Sequence, residues 1–558
     1  MSWPQAFDFL GLDLLSPCIR EDLPTRAPYA GAMPKVFVSD SISKEALAQL
    51  EGHLEVHIET GLSEAQLCEK LVGYDALMVR SATTVTKAII EAAPSLQVIG
   101  RAGVGVDNID VPAATARGIM VINSPQGNTI SAAEHTLALL LSAARKVPAA
   151  QRSMDDGKWD RNSFTGNELY NKTLGIVGFG RIGREVASRA ASFKMKVLAY
   201  DPFVQDDAIA ATGAEPRELD ALLAEADFVT LHVPKVKETV GLFSKERLLG
   251  MKKGSYLVNC ARGGIVDETA LVEVLEEGHL GGAAFDVFEK EPLPADSPLR
   301  GAKNLVTTPH LAASTEEAQL RVAVDVAEQI RDVLAGGSAR SAVNLSYVPP
   351  QMLHELRPFV GLCERMGCFL YSLLGGKVKA IEVVYRGKLA SLDVDLLTKA
   401  AVKGVLACGT PETVNFVNAA LVAGERGVEV RETKSASSTT YSSVVELKLT
   451  TDRGAISATG AIFEDDQPRV VSLDGLGLSV ILAGHKLITW QTDEPGVVGR
   501  VGSLLGEEDI NIAEMQVGRA TPRTKAVMVM SIDDAPSAGA LEKVSKLSGI
   551  ERAAFVTL

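Results

Sequence analysis

Short apolar runs alternate with amphipathic stretches from Lys35 to about Asn123. Lys35–Val38, Leu54–Ile58, Ala76–Val79, Gln97–Arg101 and Met120–Ile122 have the length and apolar continuity of strands buried on both faces. Lys44–Leu50 and Glu64–Leu71 between them carry helical spacing. The pattern predicts a small parallel α/β layer. A long helix is expected from Ser131 to Ala144. Further buried strands are expected at Lys172–Gly178, Lys196–Asp201, Phe228–Leu231, Tyr256–Asn259, Gly282–Phe285 and Leu305–Thr307, spaced as in a doubly wound sheet. A helix over Glu316–Leu334 ends at Gly336-Gly337, where a linker to Ser341 begins. Beyond it the pattern changes. A helix over Pro350–Leu374 precedes a strand, two helices and strands near Val428–Arg431, Ser443–Thr450 and Gly454–Ile462. From His485 the order is strand, helix, strand, strand, helix, strand, a ferredoxin-like arrangement.

One turn inside this pattern has a chemical reading. Gly178-Phe179-Gly180-Arg181-Ile182-Gly183 joins a strand to a helix, and Asp201 ends the next strand. Gly178 permits the tight turn, Gly180 lets a pyrophosphate approach the backbone, and Gly183 lets helix and strand pack closely. Arg181 and Ile182 open the helix, whose free N–H groups face the phosphates. Asp201 can accept from both ribose hydroxyls of an adenosine. Pro202, Phe203 and Val204 follow it, with no adjacent Lys or Arg for a 2′-phosphate, so NAD is expected rather than NADP.

Oxidising an alcohol beside such a cofactor needs a base, a group that supports the base, and a cation for the substrate carboxylate. His310, in Thr307-Thr-Pro-His310, is the candidate base. His232, also at a strand end, is its rival, read as lining the cofactor cleft. Glu291 can pair with the imidazole; Asp286 and Glu289 compete for that role. Arg262, in Asn259-Cys-Ala-Arg262-Gly-Gly264, can grip a carboxylate in a bidentate fork. Each follows a different strand in the part of the sheet after the glycine turn, where ligands bind in such folds.

These blocks resemble the D-isomer-specific 2-hydroxyacid dehydrogenases. The resemblance also rests on Val79-Arg-Ser-Ala-Thr83, Gly100-Arg-Ala-Gly-Val-Gly-Val-Asp-Asn108, Asn123-Ser-Pro-Gln-Gly-Asn-Thr-Ile-Ser-Ala-Ala-Glu134, Gly157-Lys-Trp159 and Asp286-Val-Phe-Glu-Lys-Glu-Pro292. It implies a Rossmann-type doubly wound NAD domain inserted in a flavodoxin-like substrate domain, then an α+β intervening domain and a ferredoxin-like ACT domain. The expected bounds are 33–131 with 314–338, 132–313, 341–483 and 485–558, after an extension over 1–32. It implies that Arg262 orients the carboxylate while His310 and Glu291 form the acid–base pair, and that His232, Ala261 and Asp286 join the cofactor site. Arg80, Ser81, Arg101, Gly103 and Asn128 fall on the substrate side, and the cations there suit a second anionic end. The long form thus implies NAD-dependent oxidation of 3-phospho-D-glycerate for serine synthesis, in a cytoplasmic homotetramer. A hydroxypyruvate or glyoxylate reductase and a non-catalytic NAD-sensing protein are the alternatives. Asp493-Glu-Pro-Gly496 ahead of a helix, with Asn511 after it, resembles the amino-acid-sensing ACT module. L-serine is the implied effector, its carboxylate at the helix start and its ammonium on Asp493. The alternative is a purely structural dimerisation module.

Composition narrows the rest. The net charge of −14 argues against nonspecific nucleic-acid or anionic-membrane binding. No apolar run is long enough for a transmembrane helix. The six cysteines are scattered, so no metal site is expected, and reduced cytosolic thiols are the simpler reading. Met1–Ala32 lacks the features of a signal or transit peptide. It reads either as an extension of unknown role or as sequence upstream of a true start at Met33.

Overall fold

A computed structural model of the chain describes residues 33–337, 339–346, 349–410, 413–437, 440–463 and 467–558. The 1–32 extension and Ser338 of the expected linker lie outside the described residues. Strands β1 (Lys35–Val38), β2 (Glu55–Ile58), β3 (Ala76–Val79), β4 (Val98–Arg101) and β5 (Met120–Ile122) form a parallel sheet in the order β2-β1-β3-β4-β5. This is the flavodoxin order. The strands β1, β3, β4 and β5 are largely buried between helices on both sides, while the edge strand β2 exposes Glu55, His57 and Ile58.

The chain then builds a second parallel sheet from β6 (Thr173–Val177), β7 (Lys196–Tyr200), β8 (Glu215–Pro216), β9 (Phe228–Leu231), β10 (Tyr256–Asn259), β11 (Gly282–Phe285) and β12 (Leu305–Thr307). Their order is β12-β11-β10-β9-β6-β7-β8, the doubly wound arrangement with its switch point between β6 and β9. The helix Thr129–Arg145 starts just before the expected boundary and packs on β10, β11 and β12. The helix Glu316–Leu334 returns to the first sheet and lies over β4. Gly100 makes that approach possible, since a Cβ there would sit 2.7 Å from both Val326 and Ile330. The second sheet is therefore an insertion between parts of the first unit.

A mixed sheet follows, formed by β13 (Val378–Gly387), β14 (Glu429–Ser435), β15 (Ser443–Thr451), β16 (Gly454–Ile462), β17 (Pro468–Leu473) and β18 (Leu476–Val480). Its order is β14-β13-β15-β16-β17-β18. Strands β17 and β18 were not expected; they are short, and β17 opens on Pro468, which belongs at a strand start. The helices Pro350–Leu374 and Asp395–Gly409 pack on one another beside this sheet. At their crossing, a Cβ on Gly367 would meet the Ala401 carbonyl at 2.5 Å, and one on Gly404 would run into the Glu364 carbonyl. This close crossing brings Cys368 and Cys408 into a disulfide, with Cα atoms 5.7 Å apart. The expectation of reduced thiols throughout is corrected there; Cys68, Cys260 and Cys363 are free.

The last unit contains β19 (His485–Thr492), β20 (Ile512–Arg519), β21 (Lys525–Ile532) and β22 (Ile550–Thr557), in the antiparallel order β20-β21-β19-β22. With the helices Val497–Glu507 and Ala538–Ser545 this is the ferredoxin-like arrangement. No helix among the described residues is long and apolar enough to cross a membrane.

Candidate active site

The glycine turn leaves β6 at the switch point. Gly178 has φ +95°, and a Cβ there would meet the His232 carbonyl at 2.5 Å. Gly180 caps the helix Arg181–Ser192 and has open space where a side chain would be. A Cβ on Gly183 would collide with the Gly178 carbonyl. Asp201 Oδ2 accepts the Phe179 N–H at 2.8 Å, and Oδ1 accepts the Phe203 N–H at 2.9 Å. Each carboxylate oxygen keeps a lone pair for a further donor. A backbone cradle, an open approach and a carboxylate at the next strand end fit a dinucleotide such as NAD. Arg181 reaches the Pro125 carbonyl at 3.3 Å, from the turn to the first unit. His232 Nε2 lies 3.1 Å from the Thr230 hydroxyl, and burial pushes its imidazole down to about 4. It is therefore neutral at pH 7, a poor match for a proton-exchanging base near neutrality.

His310 follows β12 and has φ +55°. Its Nδ1 lies 2.7 Å from Glu291 Oε2. Glu291 Oε1 accepts the Phe288 N–H at 3.0 Å. Burial raises the Glu291 carboxyl, but the bonds from His310 and Phe288 outweigh it and hold the group below the ordinary range. Glu291 thus stays ionised around neutrality, fixes the imidazole through Nδ1 and leaves Nε2 for the substrate.

Asp286 behaves differently from the expectation. It is fully buried. Its Oδ1 accepts from the Thr308 hydroxyl at 2.6 Å and the Leu311 N–H at 2.7 Å, and lies 3.2 Å from His135 Nε2. Its Oδ2 accepts the Ala312 N–H at 2.8 Å. As placed, the carboxylate offers no surface to a cofactor and instead anchors the loop that carries His310. Burial works to raise this carboxyl, yet the donors win and its folded-state value is lowered. A depressed value means stability present above the unfolded carboxylate range, near 3.9, and lost as pH falls through the folded value. Asp286→Asn, which turns an amide toward buried donors, is expected to cost roughly 2–4 kcal/mol. Thermal unfolding against pH checks both statements: the variant melts lower at neutral pH, and the difference narrows in acid.

Arg262 follows β10. Its Nε donates to Asp107 Oδ2 at 3.0 Å, across from the first unit, and its Nη1 donates to the Ala261 carbonyl at 2.7 Å. Ala261 itself donates to Asn259 Oδ1 at 3.0 Å. Gly263 lets this loop touch the Glu291 loop, since a Cβ there would collide with the Phe288 carbonyl. On the facing side, Arg101 folds against Gly103, and its Nε donates to Asn108 Oδ1 at 3.4 Å. Burial, and next the charge of Arg262, pull the Arg101 guanidinium down to about 10; Arg80 acts in the same direction and Asp107 against it. Arg80 is held by its N–H to Asp40 Oδ2 at 2.5 Å and by Nη1 to the Ser41 carbonyl at 3.1 Å. Ser81 is exposed beside it. Asn128 Oδ1 is buried and has no partner among the described residues, an acceptor left for a ligand donor.

Several residues of this cleft carry no role in the sequence reading. Asp107 steadies Arg262, Asn108 ties the Arg80 and Thr83 carbonyls, each at 2.6 Å, to Arg101, and His135 supports Asp286. Asp107 and Asn108 sit inside the Gly100–Asn108 block, so their density of charge among glycines was the available signal.

The effector residues are placed less as expected. Gly496, with φ +92°, caps the helix Val497–Glu507. Asp493 Oδ2 already accepts from Arg519 Nη1 at 2.6 Å and from the Arg523 N–H at 3.0 Å, which holds the carboxyl low. Asn511 donates to Asp533 Oδ2 at 2.7 Å. The free Asp493 carboxylate expected for an ammonium is instead paired with Arg519.

A cofactor cradle at a switch point, with Arg, Glu and His on successive strand ends, defines a dehydrogenase of 2-hydroxy acids. Comparison with known proteins agrees. Residues 137–312 match the model of the D-isomer specific 2-hydroxyacid dehydrogenase NAD-binding domain. Residues 355–474 match the D-3-phosphoglycerate dehydrogenase intervening domain, and 485–549 the ACT domain. The D-3-phosphoglycerate dehydrogenase of Synechocystis is 48% identical over 559 residues, covering 100% of both chains. That of Archaeoglobus fulgidus is 44% identical over 94% of this chain and 100% of its own. Among solved structures, the TT0316 protein of Thermus thermophilus is 38% identical, with a TM-score of 0.51, covering 55% of this chain and 99% of its own. The chain belongs to the D-isomer specific 2-hydroxyacid dehydrogenases, in the D-3-phosphoglycerate dehydrogenase family with intervening and ACT domains.

Proposed function

We propose that the chain oxidises 3-phospho-D-glycerate to 3-phosphooxypyruvate, a step toward serine. The observation that carries this reading is the cation cluster: Arg101 and Arg262 lie close enough to act on each other's charge, with Arg80 beside them. A substrate with one anion needs one such fork; a carboxylate and a phosphate on one small molecule use the cluster fully. The full-length likeness to curated relatives supports the same substrate.

Arg262 holds the carboxylate, with Asp107 and the Ala261 carbonyl fixing its plane. Arg80 and Arg101 receive the phosphate. His310 Nε2 takes the hydroxyl proton, and Glu291 stabilises the imidazolium that results. Gly178, Gly180, Gly183 and Asp201 would hold NAD, which would supply the two-electron acceptor. The units at 33–131 with 314–338 and at 132–313 close around the cleft, and those at 341–483 and 485–558 regulate it. L-serine is the effector, and the working form is a cytoplasmic homotetramer.

The test is a substrate panel. Reduction of NAD should be seen with 3-phospho-D-glycerate, with kcat/KM at least about tenfold higher than with D-glycerate, since each lost charged contact is worth roughly 1.5–3 kcal/mol. Equal rates with and without the phosphate, or a preference for glyoxylate, would overturn the substrate.

A further inference from the structure

Cys368 and Cys408 lie outside the active site, and their bond joins two helices with different attachments. Cys368 is buried on the helix Pro350–Leu374, and Cys408 is half-buried near the end of the helix Asp395–Gly409. The first helix is tied to the ACT unit: Arg552 on β22 stacks over Trp490 at 4.5 Å and donates through Nη2 to the Leu373 carbonyl. The second helix leads into a segment docked on the first unit. There Asn415 Nδ2 donates to the Gly118 carbonyl at 2.7 Å, and Asn418 Nδ2 to the Ala116 carbonyl at 3.4 Å. Gly118 has φ +70°, and a Cβ on it would press into the Asn415 side chain. Between the two attachments, the crossing at Gly367 and Gly404 is backbone against backbone. The Tyr371 ring would meet a Cβ on Gly409, the residue after Cys408, at 2.7 Å, so the helices stay close up to the bond.

We propose that Cys368–Cys408 is a thiol–disulfide exchange site that takes a dithiol able to close its own cyclic disulfide and couples the ACT unit to the substrate unit. Cys408 is the more exposed of the two residues, so its sulfur is the one attacked. A dithiol's thiolate attacks it, the Cys368–Cys408 bond breaks and Cys368 leaves as a thiolate that takes up a proton. The second thiol of the reductant then releases Cys408 by closing its own disulfide. Two electrons and two protons pass from the dithiol to the pair, and the oxidised dithiol reverses the exchange. The bond closes a loop of about 41 residues, which limits the freedom of the unfolded chain. Oxidised, the two helices are joined covalently; reduced, packing and the Lys403–Glu364 ion pair at 2.7 Å hold them. Cys363, whose thiol burial pushes upward and which is free, takes no part.

The experiment uses the full chain purified without reductant, equilibrated with oxidised or reduced dithiothreitol, alkylated and digested. A peptide linked through Cys368 and Cys408 is expected in the oxidised sample and two alkylated cysteines in the reduced one. Reduction should lower the unfolding temperature by roughly 4–10 °C. It should also speed amide exchange at least about tenfold across 413–418 and 116–118. The variant Cys368→Ser with Cys408→Ser should exchange like the reduced parent and ignore dithiothreitol. Both cysteines alkylated after equilibration with oxidised dithiothreitol would overturn the site. A bond that forms but leaves exchange at 413–418 unchanged on reduction would overturn the coupling.

Discussion

Replacing His310 by Gln is expected to lower kcat by about 10²–10⁴-fold, the usual contribution of a positioned acid–base group. NADH affinity should stay within about twofold, because the cofactor cradle is built from β6, β7 and the turn between them, away from β12. The prediction follows from the geometry at Nδ1. Glu291 Oε2 lies 2.7 Å from it, so that nitrogen is committed and Nε2 is the one that exchanges a proton. Glu291→Gln keeps a hydrogen-bond acceptor but removes the charge that stabilises the imidazolium, so it should fall between the parent and His310→Gln. The parent Glu291 carboxyl is held below its ordinary range, so it loses its charge only well into acid. An acid limb in the parent kcat profile that disappears in Glu291→Gln is the expected signature. Steady-state kinetics across pH, with NADH fluorescence titrations alongside, checks all of this. Near-normal turnover in His310→Gln would remove His310 from the chemistry.

Arg262→Lys should lower kcat/KM for the phosphorylated substrate by roughly ten- to a hundredfold, with NADH affinity unchanged. The guanidinium does three things at once: Nε engages Asp107, Nη1 engages the Ala261 carbonyl, and Nη2 remains for the substrate beside Gly105. A lysine ammonium keeps the charge but has no fixed plane, so it cannot meet Asp107 and a carboxylate together. Asp107 comes from the first unit, so the contact also ties the two units. Loss at this position should appear in both kcat and KM, because the guanidinium binds the carboxylate in the ground state and also orients C2 for hydride transfer, which counts more in the transition state. A rise in KM alone would mean that Arg262 binds substrate without orienting it.

Much of this was legible in the chain, for physical reasons that can be named. A parallel sheet covered by helices needs strands apolar on both faces, and such runs stand out against amphipathic neighbours. Loops at the carboxyl ends of those strands must then hold the ligands, which singles out Arg262, Glu291 and His310. What could not be read is direction. Asp286 and Glu291 both follow β11, yet one carboxylate turns into the core to hold Leu311 and Ala312 while the other turns to His310. The donors that decide this lie 25 and 26 residues away along the chain, and His135 lies 151 away. Asp493 poses the same problem, because Arg519 reaches it from the end of β20. The pairing of Cys368 with Cys408 depends on two glycines that let helices cross closely, and spacing along the chain holds no trace of that crossing.

One site, held by Arg262 and His310, removes the hydrogen on C2 of a phosphorylated 2-hydroxy acid while NAD is reduced. The direct measurement uses 3-phospho-D-glycerate deuterated at C2, with mass analysis of the NADH formed. One deuterium is expected in each NADH and none in water, with transfer slowed at least about 10³-fold in Arg262→Lys with His310→Gln. Deuterium appearing in solvent, or NADH formed without the label, would contradict it.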